Sequence, residues 1–404
     1  MITRIEAHRY RCLRSITQSL GPLEILVGPN ASGKSAFLDV LRFLSTLVAE
    51  GLDPAIAERS QDFYDLVWGR HGNGFELAIE ADVPPDKRHV QGGGWTQDKL
   101  RYEVELRIDP TTDTASFASE SLVLSVSGFG RDRLEIIRRD LNQVLVYDPN
   151  SDALAPTGVA RDQAQLRHMP RDEMRLPAVV WLTDLLSERI RFVALDPKEL
   201  RKPSPPFPAR LRSLEGSHLA RFVAQLADHP ERFRQWIGHL RTALPDLETI
   251  RTALRSEDRK RCLIIKYRNG VEVPSWVVSD GTLRLLALTV LAYLPGFDGV
   301  YLIEEPENGV HPTAVETFYQ SLSSVYHGQV LVTTHSPVLL GMAKPNELLC
   351  FVGSEEGAAV VRGSDHPALR EWQGDVSLSD LFASGTLAGT LGSSRNARTS
   401  CAHS

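Results

Sequence analysis

The segment that most constrains this chain is Gly28-Pro29-Asn30-Ala31-Ser32-Gly33-Lys34-Ser35. It follows an apolar run, Leu23 to Val27, and leads into Phe37, Leu38, Val40, Leu41, Phe43, Leu44, Leu47 and Val48, whose spacing is that of a helix with one broad apolar face. A glycine loop between a strand and a helix N-terminus has a physical use. Its N–H groups curl around phosphate oxygens, Lys34 reaches the β and γ phosphates, and the Ser35 hydroxyl ligates Mg²⁺. The helix adds its positive end. Gly28, Pro29, Asn30, Ala31, Ser32, Gly33, Lys34, Ser35 and Ala36 are therefore the candidate phosphate-binding residues, with Lys34 counted among the catalytic groups.

Three further pieces follow in order. The apolar strand Val300-Tyr301-Leu302-Ile303 ends in Glu304-Glu305-Pro306. Glu304 is placed to hold Mg²⁺, directly or through water, and Glu305 to act as general base on the attacking water. Asp is usual at the first of these positions, and Glu304 is one methylene longer. The strand ending at Thr333 runs into Thr334-His335-Ser336-Pro337, where His335 is a candidate sensor of the γ-phosphate. Val278-Ser279-Asp280-Gly281-Thr282 precedes the apolar helix Leu283 to Leu294, so Ser279 and Gly281 form a second anion cap or an ordinary N-cap.

This ordered set resembles the ABC-type ATPase head family, which includes SMC, RecF and OLD proteins, and most closely its compact single-head AAA-type bacterial ATPases. The resemblance extends to the opening Ile-x-x-Ile-x-x-x-x-Tyr-Arg around Tyr10 and Arg11, to Glu215-Gly216-Ser217-His218-Leu219-Ala220, and to Glu307-Asn308-Gly309-Val310-His311-Pro312. It implies an α/β P-loop NTPase of ABC-ATPase type, with a mainly parallel core sheet, an antiparallel β lobe and an inserted helical lobe. ATP and Mg²⁺ are the implied cofactors. Two heads would sandwich two ATPs in a homodimer, with Ser279 and Gly281 meeting the γ-phosphate of the other copy and Asn308 and Gly309 crossing the seam. Arg11 is a candidate to stack on adenine, and equally an ordinary surface-strand arginine. Asp280 and Thr282 depart from the transporter signature, and Asp280 brings negative charge near a phosphate. Gln61 and Gln143 are the candidates for the glutamine that links the helical lobe to magnesium.

The rest of the chain organises around these motifs. Residues 1–70 read as the first half of the head, 71–177 as an antiparallel meander and 178–255 as a helical insertion. Residues 256–389 read as the second half of the head, and 390–404 as a flexible tail. Phe75–Ile79, Tyr102–Ile108 and Leu122–Val126 alternate as strands with one wet face. The stretch Asp148 to Pro177 reads as loop, and Lys202-Pro203-Ser204-Pro205-Pro206-Phe207-Pro208 interrupts the helices. No heptads are sustained, so no coiled-coil arm is expected.

With 45 Lys+Arg against 51 Asp+Glu, the net charge of −6 excludes a global basic field for nucleic acid. Local clusters remain: Arg131 and Arg133 with Arg138 and Arg139, Arg161 to Arg175, and Arg251 to Arg261. The four cysteines, Cys12, Cys262, Cys350 and Cys401, form no Cys-x-x-Cys pair. No signal peptide or membrane span is legible, and a cytoplasmic location with no membrane partner is expected. After His335 the acids Asp365, Glu371, Asp375 and Asp380 form no nuclease constellation, so output chemistry would belong to a partner. The expected function is an ATP-hydrolysing, dimerising switch that controls a separate effector, with a nuclease of a phage-defence or toxin–antitoxin pair in view. The alternative is a RecF- or SMC-like repair or chromosome-maintenance ATPase, with DNA or RNA as partner.

Overall fold

A computed structural model describes residues 1–404 apart from 89–96, 127–128, 159, 207–212, 326, 355–356, 371–377 and 384–404. The tail expected over 390–404, together with Cys401, Glu371, Asp375, Phe207 and Pro208, lies outside the described residues.

The apolar runs that flank the motifs form one sheet of seven strands. Its order is Ser213–Leu214, Ile190–Val193, Val300–Glu304, Gln329–Thr333, Leu23–Val27, Leu348–Ser354 and Gly357–Arg362. Every neighbouring pair is parallel except the last. Leu23–Val27 and Gln329–Thr333 are buried at every residue, which is why they read as mainly apolar segments despite Glu24 and Gln329. Their side chains divide between two cores. Leu26, Leu302 and Leu331 pack with the helix Lys34–Glu50 on one face. Ile25, Val27, Tyr301, Ile303, Val330 and Val332 pack on the other face with the helices Asp280–Tyr293 and Pro312–Ser323.

The second large sheet is antiparallel, in the order Leu13–Ser19, Ile2–Tyr10, Gly74–Asp82, Lys99–Asp109, Thr114–Val126, Phe129–Arg139, Val144–Asp148 and Ala153–Thr157. Alternating burial along Lys99–Asp109 leaves one face wet, and the dry face shares a core with the Lys34–Glu50 helix. The boundary expected at residue 70 runs through this sheet, because Ile5 pairs with Ile79 across it. The buried Gln329 amide ties the two sheets, donating to the carbonyls of Ile2 and Gly21 at 2.8 Å each.

Two stretches differ from their expected secondary structure. The span 178–255 does contain helices, Leu219–Ala227 and Pro230–Leu240. It also contributes Ile190–Val193 to the core sheet, and Leu247–Leu254 to a three-stranded sheet with Arg261–Tyr267 and Glu272–Pro274. Ile190–Val193 is four residues long, too short to show a period, and pairing with Val300–Ile303 makes it a strand. The stretch 148–177, expected as loop, holds the edge strand Ala153–Thr157. No helix among the described residues is long and apolar enough to cross a membrane.

Candidate nucleotide site

Parallel register brings the motifs to one edge. Glu304 pairs with Thr333, and Thr333 with Leu26, so three strands end abreast at the carboxyl edge of the sheet, where open α/β folds place ligands. The loop after Leu23–Val27 adopts backbone that its glycines permit. Gly28 has φ +150°, and a Cβ there would lie 2.3 Å from the Phe351 carbonyl oxygen. Gly33 has φ +104°, and a Cβ there would lie 2.8 Å from that of Ala358.

Lys34, 6% exposed, donates from Nζ to the carbonyls of Gly28 and Pro29 at 2.8 Å each. Burial lowers its pKa, against the opposing pull of Glu305. The Ser32 hydroxyl is buried without a hydrogen-bond partner, whereas Pro29, Asn30, Ala31 and Ser35 are exposed and Ala36 is buried. A loop that excludes Cβ atoms and holds back one buried hydroxyl fits a phosphate group. Ser35 and Glu304 carry the hard oxygen donors that Mg²⁺ takes, alongside water and phosphate. Among the described residues, no group of three or more His, Cys, Asp or Glu forms a ready-made metal cage.

At the next strand end Glu305 takes φ +43°, an uncommon conformation for a residue with a side chain. Its N–H donates to the Thr333 carbonyl at 3.0 Å. Its carboxylate is held on both sides: Oε2 accepts from the Asn308 side-chain amide at 2.7 Å, and Oε1 stands 3.5 Å from His335 Nε2. Thus Glu305, Asn308 and His335 meet within one chain.

Sequence reasoning missed Glu307. Its Oε1 accepts from the Thr334 hydroxyl at 2.7 Å and from the His335 N–H at 2.8 Å, while Oε2 is buried and unpartnered. It stood in the run Glu307 to Pro312 that carries the resemblance, but without a role, because its partners sit at the end of another strand.

Ser279 caps its own helix, accepting from the Thr282 N–H at 3.3 Å. Gly281 lies against the loop after Glu307, since a Cβ there would sit 2.9 Å from the Gly309 carbonyl oxygen. Among the described residues no hydrogen bond joins 279–284 to 28–35. The Asp280 charge is not free: Arg201 forms an ion pair with it and donates to the Val278 carbonyl at 2.8 Å.

Arg11 lies in a turn rather than a strand, with φ +52° and Nη1 2.9 Å from the Asp39 carboxylate. That carboxylate also accepts from the Tyr10 hydroxyl at 2.6 Å and from Arg59 at 2.9 Å, which anchors the turn to the helix Lys34–Glu50. Gln143 is exposed in a hairpin turn of the antiparallel sheet, and Gln61 is exposed just before the turn Phe63–Leu66. No hydrogen bond from either reaches the loop among the described residues. Several arginines of the expected clusters are paired within the chain. Arg138 pairs with Glu135, Arg251 with Glu272 and Arg255 with Asp258. Arg139 is 5% exposed and donates to the carbonyls of Gln163 and Ala160.

The family model described as "AAA domain, putative AbiEii toxin, Type IV TA system" matches residues 25–115 and 149–341. Among solved structures, one similar chain is the Smc head bound to the C-winged helix domain of ScpA. It is 15% identical with a TM-score of 0.56, over 89% of this chain and 97% of that one. Another is the Smc head domain with an extended coiled coil, bound to the C-terminal domain of ScpA, from Pyrococcus furiosus. It is 13% identical with a TM-score of 0.54, over 89% of this chain and 95% of that one. At such identities the likeness is one of fold. No curated protein matches the sequence.

Proposed function

This chain belongs to that AAA-domain family, and from this premise we propose that it binds and hydrolyses ATP as a dimerising switch. The observation that carries the reading is the meeting of Glu305 and His335 at 3.5 Å, at the sheet edge that also bears the Lys34 loop.

In this reading the backbone N–H groups of the loop, Pro29 having none, and Lys34 Nζ would hold the phosphates, and Ser35 and Glu304 would hold Mg²⁺. When bound, that ion neutralises charge on the phosphate oxygens. Glu305 Oε1 takes the proton of the attacking water, while the Asn308 amide keeps Oε2 from turning away. His335 orients the water and faces the γ-phosphate. Ser279 is supplied to this cage by a second copy, a reading supported by the lack, among the described residues, of any hydrogen bond from 279–284 to 28–35.

The output belongs to a separate effector protein, with a nuclease of a defence or toxin–antitoxin pair as the candidate. The Smc heads of similar fold, each described with a bound ScpA domain, support a head that works through another protein. The alternative is a RecF- or SMC-like DNA-binding ATPase; of the arginines that would serve it, Arg138, Arg251 and Arg255 are already in ion pairs within the chain.

Glu305→Gln tests the proposal. Turnover should fall by at least about 100-fold with ATP affinity retained, and ATP should drive accumulation of a dimer visible by light scattering. Wild-type turnover, or a monomer at saturating ATP, would overturn it.

A further inference from the structure

We propose that Glu307 is a positioning residue: it sets His335 against Glu305 and links that pair to the loop lying on the signature helix. The inference rests on the nucleotide reading above.

The Glu307 carboxylate spends one oxygen entirely on the segment that carries His335. Oε1 accepts from the Thr334 hydroxyl at 2.7 Å and from the His335 N–H at 2.8 Å. Thr334 Oγ1 in turn accepts from the Ser336 N–H at 2.9 Å, and Ser336 caps the helix Pro337–Met342. One carboxylate therefore orders the whole turn from strand to helix, and with it the direction in which His335 leaves the backbone.

The sheet does not need this side chain to join its strand ends. The Glu305 N–H already bonds the Thr333 carbonyl at 3.0 Å, and the Thr334 N–H the Leu26 carbonyl at 3.1 Å. Its other oxygen, Oε2, is buried with no hydrogen-bond partner, which a purely structural carboxylate would avoid. A side chain that the sheet does not require and that leaves a buried oxygen unsatisfied points to a role in the site.

Its place in the chain gives the second half of the inference. Gly309, two residues on, has φ +77°, and its carbonyl is what a Cβ at Gly281 would strike. Glu307 thus stands between the loop seated on the signature and the residue facing the catalytic acid. A shift of that loop must pull on His335 through two short hydrogen bonds.

The test is steady-state ATPase of the whole chain with Glu307→Ala, Glu307→Gln, and Glu307→Ala combined with Glu305→Gln. Glu307→Ala should lower kcat on the order of 10- to 100-fold with KM within about twofold, because misplacement rather than binding is at stake. Glu307→Gln keeps an oxygen for both donors and should stay within about threefold of wild type. The double variant should be no slower than Glu305→Gln alone, since both act on one step. Should Glu307→Ala fail to fold, Glu307→Asp withdraws the acceptor by one methylene and is held to the same expectation.

A wild-type kcat in Glu307→Ala, equal loss in Glu307→Gln, or additive losses would each overturn the inference. Normal turnover in Glu305→Gln would instead remove the nucleotide reading itself. A slow Glu305→Gln beside an unaffected Glu307→Ala would remove only the role of Glu307.

Discussion

Arg201 holds Asp280 in an ion pair while its second nitrogen donates to the Val278 carbonyl, 2.8 Å away. The acid that departs from the usual signature is thereby neutralised inside its own chain, one residue from the capping Ser279. Both side chains are partly exposed, 32% and 51%, so the pair is worth little to the fold of the single chain. Arg201→Ala should move the melting temperature slightly but weaken the ATP-dependent dimer, because it leaves a bare carboxylate where a phosphate is expected. Adding Asp280→Asn should restore the dimer. Light scattering with and without ATP reads both, and an unaltered dimer in Arg201→Ala would show that the pair does not serve the interface.

Ser32 separates a ligand role from a structural one. Its hydroxyl is 2% exposed and unpartnered, so removing it relieves an unsatisfied buried group. Ser32→Ala should leave the nucleotide-free protein as stable as wild type, or more so, and bind ATP about tenfold more weakly, the loss of one charge-assisted hydrogen bond. Titration with a fluorescent ATP analogue, beside a melting curve without nucleotide, checks the pair of outcomes.

Lys34 should behave differently. Its ammonium already bonds two loop carbonyls, so Lys34→Ala perturbs the loop as well as the ligand. ATP affinity should fall by about 100-fold or more, the scale expected for losing a buried charge from a phosphate site. Circular dichroism should show the fold intact. Wild-type affinity would break the phosphate-loop assignment.

Asp39 gives a pH-dependent prediction. Burial pushes its carboxyl pKa up, but Arg59, Tyr10 and Arg11 more than offset this and hold it below the ordinary value. A depressed folded-state pKa contributes stability above the unfolded-state value, near about 3.9, and loses it as pH falls through the folded-state value. Arg59 is 5% exposed and keeps Glu58 at 3.0 Å, so Asp39→Asn removes one of its two carboxylate partners and should cost about 1–3 kcal/mol at pH 7. In urea unfolding the gap between variant and wild type should narrow towards pH 3. A gap that does not change with pH would mean that charge at Asp39 is not what stabilises the turn.

Legibility in the sequence followed burial. Leu23–Val27 announced itself because every residue is buried and the apolar Ile25-Leu26-Val27 ends where the strand ends, at Gly28. Ser279 announced a helix start because the cap and its partner Thr282 lie three residues apart. Ile190–Val193 did not, because a strand of four residues carries no period and its partner lies more than a hundred residues away. Arg139 read as part of a surface cluster, yet it is buried over Phe117 and bonds two carbonyls, contacts that no local pattern encodes.

Taken alone, the order of residues determined the local backbone that carries the candidate groups: the glycine loop, the acid-ended strand, the histidine turn and the capped helix. Each depends on neighbours within a few positions, and short-range sterics and hydrogen bonding decide those. Tertiary structure decided which groups face one another. Glu307 meets His335, Arg201 meets Asp280 and Arg11 meets Asp39 only because sheet order and strand register bring distant ends together. Register is set by burying side chains from many elements at once, a sum that no single stretch of chain contains.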